Sequence, residues 1–146
     1  MIKSFRGLLA DEEIERIKLS TNDGLTGYTI KKFEIISETP GIGDADHVVQ
    51  LFSVPQTAAS ATVNFDNPTL MGVAFVRMDA NNVDITARYG KHIVFDNVTV
   101  NQDVYVTLKN ARNNTRKCNF YLEMEQVKLD INEATVATLK DMRGRE

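Results

Sequence analysis

Two histidines, one cysteine and twenty acidic residues are the groups from which this 146-residue chain could build reactive chemistry. A metal centre needs several such ligands at short spacings on regular elements. His47 and His92 lie far apart in sequence, so no paired-histidine motif exists. Asp44, Asp46 and His47 form a small acidic cluster, expected to be a solvated loop in preference to a cation site. Asp79, Asn81 and Asp84 in MDANNVDI faintly follow a calcium loop but lack its central glycine and distal glutamate. Nucleophilic catalysis requires Ser or Cys beside a positioned base, and neither a GxSxG elbow nor an activated histidine is present. Gly41-X-Gly43 has no third glycine and no following helix, so it predicts no phosphate cradle. Nothing singles out two carboxylates for glycoside hydrolysis, and the absence of tryptophan weakens stacking on sugars. Cys118, in the strand-like run RKCNFYLEM, reads as a small buried hydrophobe. The expectation is a protein without catalytic residues, metal or cofactor.

Two further patterns invite a functional reading. Phe-Asp-Asn-X-Thr occurs at 65–69 and again at 95–99. The flanks share nothing, so both copies are expected to be corners, each with an inward phenylalanine ending a strand and Asp-Asn turning the chain. Asn97-Val98-Thr99 and Asn113-Asn114-Thr115 fit the glycosylation acceptor, but the opening segment is not a secretory signal, so both are expected to be chance matches. The basic loop KNARNNTRK places Lys109, Arg112, Arg116 and Lys117 together. A solvated hairpin tip or a protein contact fits it better than phosphate binding.

The elements that must position these groups are mostly strands. Residues 1–13 predict an N-terminal arm, with apolar Phe5, Leu8 and Leu9 and no long period; Asp11 could cap a short helix. Ile14 to Leu19 alternates with Ile17 and Leu19 inward. STNDGLTG is a turn. Strands are expected at 27–38, with a bulge near Lys31-Lys32, and at 47–54, 62–65, 70–78 and 85–95, the last with a break at Gly90. Residues 98–108 predict a hairpin with Val104, Val106 and Leu108 on one face. Residues 117–129 predict the last strand, with Phe120, Leu122 and Met124 inward. The tail predicts a helix capped by Asp130 or Asn132 and ended by Gly144. Eight or nine strands at regular spacing with turn chemistry between them predict an all-β fold: an antiparallel two-sheet β-sandwich, jelly-roll-like. The expected organisation is an arm over 1–13, a sandwich over 14–130 and a short C-terminal helix and tail over 131–146.

Composition bounds the rest. Hydrophobic residues make up 42% and charged residues 25%, as in an ordinary globular domain, and the net charge is −3. No global field draws the chain to nucleic acid or anionic lipid, and no apolar run is long enough for a membrane span. A lone cysteine forms no internal disulfide, and synthesis in a cytoplasm is expected.

Three segments carry a likeness to a known group: Lys3 to Gly7 (KSFRG), Ile17 to Thr21 (IKLST) and Gly27 to Phe33 (GYTIKKF). In these the chain resembles small structural proteins encoded by tailed bacteriophages, particularly marine ones. The resemblance spans about the first third of the chain and brings no catalytic residues with it. It implies a virion component made in the host cytoplasm, a capsid decoration (cement) protein bound to the major capsid protein or another virion protein, and a homo-oligomer. A tail-associated or a receptor- or glycan-binding module is the alternative. The elements expected to make contact are Met1 to Ala10 and the helix Asn132 to Arg143. Phe5, Arg6, Leu8, Leu9, Arg112, Arg116, Lys117, Leu139 and Met142 are the candidate partner-binding residues. Neither membrane nor nucleic acid is an expected partner.

Overall fold

A computed structural model describes residues 1–79, 89–95, 99–112 and 114–144. Nine strands and one helix are described: β1 (Ile2–Leu9), β2 (Ile14–Ile17), β3 (Thr26–Ser37), β4 (Ala45–Phe52), β5 (Leu70–Met78), β6 (Tyr89–Val94), β7 (Thr99–Val100), β8 (Val104–Asn110), β9 (Cys118–Lys128) and α1 (Ile131–Gly144). They form two antiparallel sheets, β1-β9-β3-β7 and β2-β8-β4-β5-β6. The first strand pairs with the last, the second with the last but one, and β3 with β7. The chain is thus a long antiparallel hairpin rolled on itself, its partners alternating between the sheets. This is the jelly-roll arrangement, with β6 added beyond β5.

Period-2 patterning fills the space between the sheets. Phe120, Leu122 and Met124 of β9, Phe33 and Ile35 of β3, and Val104, Val106 and Leu108 of β8 are all buried in one core cluster with Val49 and Leu51 of β4. The double lysine of β3 does mark a bulge: the register with β9 shifts between Ile30 and Lys32. In β4 both faces are buried, because Gln50 on the outer face donates to the carbonyls of Ser60 and Thr62. The loop between β4 and β5 therefore drapes over the outside of its own sheet.

The structure corrects several expectations. The N-terminal segment is no arm: Ile2 to Leu9 is an edge strand in register with β9 from Glu125 to Cys118. Its inward positions include Lys3 and Gly7 and its outward ones Ile2 and Leu8, so the alternation that would announce a strand is scrambled. No helix nucleates at Asp11. Its carboxylate accepts from the Asn110 amide at 2.8 Å, and Glu12 turns the chain with a φ of 67°. Residues 62–65 form no strand. Residues 99–108 are no hairpin, since β7 lies in one sheet and β8 in the other, with 101–103 crossing between them. Gly90 breaks nothing: the β5–β6 register runs unshifted from Gly72↔Val94 to Arg77↔Tyr89. The part of that predicted strand at 85–88 lies outside the described residues.

Candidate functional site

At one end of the sandwich, the loop after β8 folds against the loop before β4. The Asn110 carboxamide accepts from the backbone of Asp46 and Arg112, both at 3.0 Å, and donates to Asn114. Asn114 in turn donates to the Asp44 carbonyl at 2.8 Å. The Arg112 guanidinium lies 3.1 Å from Asp46, 3.8 Å from Asp44 and 4.0 Å from Asp79. Where the sequence left room for a bound cation, the chain supplies its own. The carboxylates beside it raise the already high pKa of Arg112, the Asp46 hydrogen bond most of all. Arg116 donates to Thr39 at 3.1 Å and lies so close over Gly43 that a Cβ there would collide with its guanidinium. Lys109 pairs with Glu12 at 2.6 Å. Of the basic loop, Lys117 is exposed, while Arg112 and Arg116 are partly buried and already held by groups of this chain.

His47 lies within this end, wholly buried, its Nε2 3.3 Å from Ser37 Oγ and its Nδ1 without a hydrogen-bond partner among the described residues. Burial pushes the imidazole below its ordinary pKa; Asp11 and Asp46 oppose the shift and Arg116 adds to it. Burial likewise pushes the Cys118 thiol up to about 12, so it stays protonated and unreactive while the fold is intact. Among the described residues no three His, Cys, Asp or Glu side chains gather into a metal-binding group. Asn81, Asp84, Asp96, Asn97 and Asn113 lie outside the described residues.

The phenylalanines that open the two Phe-Asp-Asn-X-Thr stretches meet. Phe65 and Phe95 touch edge to face, ring centroids 5.1 Å apart. Phe65 is 57% exposed, so it does not point inward as expected. Asn64 and Asn67, and not Asp66, turn the first corner: their side-chain oxygens accept from the amides of Asp66 and Thr69 at 3.0 and 2.9 Å.

A second polar knot sits at the crossover between the sheets. The Asp103 carboxylate accepts from the amides of Leu19 and Ser20, both at 2.9 Å, and forms an ion pair with Arg16 at 2.5 Å. Burial alone would raise its pKa, but the Ser20 and Leu19 amides, the Ser20 hydroxyl and Arg16 outweigh that and hold it at about 2. Two residues earlier, the Asn101 carboxamide donates to the Gly24 carbonyl, the Ala134 carbonyl and Thr138 Oγ1. It ties α1 to the body of the sandwich.

Surfaces suited to contact lie elsewhere. Asp130 caps α1, accepting from the Glu133 amide at 2.7 Å. Only Ala134 of the helix is among the buried hydrophobics, while Ile131 (75%), Val136 (52%), Leu139 (46%) and Met142 (57%) are exposed. At about 100° per residue, Ile131, Met142, Leu139 and Val136 fall in that order within roughly 140° of arc. Open grooves flank the helix, one lined by Val127, Leu129, Val136 and Lys140, the other by Leu25, Ile131 and Leu139. Leu139 and Met142 were legible as candidates. Val136 was legible as sharing a helix face with Leu139, though not as a contact residue; Ile131 was not singled out. On β1, Arg6 and Leu8 are exposed, Phe5 is partly buried against the core, and Leu9 is fully buried. Leu9 is a core residue and is withdrawn as a contact.

Compared with protein-family models, curated proteins and solved structures, the chain matches none. No helix among the described residues is long and apolar enough to cross a membrane.

Proposed function

We propose that the chain is a non-enzymatic structural component of a tailed-phage virion, a decoration protein that binds the capsid lattice and stabilises it. The observation that carries this reading is α1. A helix of this length is marginal in water unless an apolar face is packed, and here the apolar arc Ile131–Met142–Leu139–Val136 faces outward. Laid on a neighbouring protein, that arc removes apolar surface from water on both sides, at about 25 cal/mol for each Å². The jelly roll behind it presents the helix on a rigid frame. The segments that resemble phage structural proteins support the reading through the frame. Tyr28 and Phe33 are core residues, Gly7 and Gly27 sit where a Cβ would press on Phe120 and on Thr99 and Leu129, and Leu19 and Ser20 hold Asp103.

The test is made on particles of the phage that encodes the chain. Virions assembled without it should release their DNA at lower temperature or under gentler mechanical load than complete ones, and adding the purified chain back should restore the difference. Particles equally robust without it would end the decoration reading.

A further inference from the structure

Strand β1 has a single strand neighbour among the described residues, β9, which leaves its other side as the open edge of a four-stranded sheet. Such an edge is a template for another strand unless something blunts it. The groups it offers can be read from the ladder. Met1 lies opposite Gln126, whose amide donates to the Met1 carbonyl at 2.8 Å. Because bonding alternates along an antiparallel strand, the odd-numbered residues turn their N–H and C=O toward β9. Ile2, Ser4, Arg6 and Leu8 turn theirs to the open edge.

We infer that β1 pairs antiparallel with β1 of a second copy of this chain, about a two-fold axis at Phe5, joining the two four-stranded sheets edge to edge. In this register Ile2 stands opposite the partner's Leu8, and Ser4 opposite the partner's Arg6. All four open-edge residues then bond in both directions, giving roughly eight interchain hydrogen bonds. The exposed side chains of Ile2 (51%) and Leu8 (43%), on the same face of the strand, cover each other across the seam. The neighbouring symmetric registers do worse. Centring on Ser4 leaves Leu8 unpaired and sets Ile2 against Arg6. Centring on Arg6 leaves Ile2 unpaired and sets two like charges face to face.

Charge favours the same register. The Phe5-centred pairing puts the partner's Lys3 across from Gly7, on the inner side of the sheet. A Cβ at Gly7 would meet Glu15 Oε2 at 3.2 Å, so the Glu15 carboxylate lies beside that empty position. Glu15 is half-buried and has no hydrogen bond or ion pair among the described residues, and Lys3 is exposed. An inward lysine on an edge strand ordinarily discourages pairing. Here symmetry brings each Lys3 to the other copy's Glu15, and the pairing forms twice.

The dimer is a property of the isolated chain, so it and the virion reading can fail independently. Sedimentation equilibrium of the full chain should show a concentration-dependent dimer. Lys3→Glu and Glu15→Lys should each weaken dimerisation by about tenfold or more, and the double variant should recover most of the loss. Mixed Ser4→Cys and Arg6→Cys chains should cross-link under oxidation, while Ser4→Cys alone should not. Circular dichroism of each variant separates lost pairing from lost folding. A wild-type chain that stays monomeric at all concentrations, or a folded double variant no better than its parents, would overturn the inference.

Discussion

Asp103 shows how one side chain can hold two distant parts of this chain. It fastens the crossover into β8 to the two amides that follow β2 and to Arg16. Its carboxyl is held at about 2 instead of 3.8, a shift equivalent to roughly 2 kcal/mol of stability at neutral pH. The folded pKa is the lower one, so this contribution is complete above the unfolded value and disappears as pH falls toward 2. Asp103→Asn should therefore lower the urea-unfolding free energy by about 2 kcal/mol at pH 7, and the gap from wild type should close between about pH 4 and pH 2. A constant gap across that range would show that the carboxylate charge is not what stabilises the crossover. None of this was legible from NQD in the sequence, because Leu19, Ser20 and Arg16 are far away in the chain. Cys118 was legible, since a small apolar side chain in a strand-like run needs only the alternation of its neighbours to be placed. The surroundings of the basic loop were not legible. Charge clustering is visible in sequence, but the carboxylates of Asp44, Asp46 and Glu12 that satisfy it arrive from the start of β4, the loop before it and the turn after β1.

Elements with a clean period were read correctly, and those whose partners break the period were not. Strands β3, β5 and β9 announce themselves through buried alternation or a continuous apolar run. Strand β1 hides because its inner face holds Lys3 and Gly7, a pattern that makes sense only beside β9 and Glu15. Strand β7, two residues long, is defined by its ladder to Tyr28 and Thr29 and by nothing local. Helix α1 was legible in its limits and cap; its anchor was not. That anchor is Asn101, 1% exposed, which reaches the helix through the Ala134 carbonyl and Thr138. Asn101→Leu should release α1 while the sandwich persists. Amide hydrogen exchange over 131–144 should accelerate at least tenfold, with little change in the β9 amides. Unaltered protection of the helix would mean that Ala134 packing alone suffices.

At the scale of the whole molecule, the rolled hairpin brings β1 beside β9 and carries α1 directly out of β9. Every residue of the candidate contact surface therefore sits close in topology to one long strand, with the core of Phe120, Leu122 and Met124 behind it. The jelly roll was predictable from strand count and turn spacing. Its strand order was not, because order is decided by long-range pairings that leave no local trace. The proposed associations rest on two separate surfaces, the open edge of β1 and the exposed apolar arc of α1. The most direct measurement of this proposal is quantitative mass spectrometry of purified particles of a phage whose genome carries this sequence. A lattice-decorating protein should be present in a fixed ratio to the major capsid protein, on the order of one copy for each repeating unit of the shell. Its absence from intact particles, or a trace amount varying between preparations, would contradict the account.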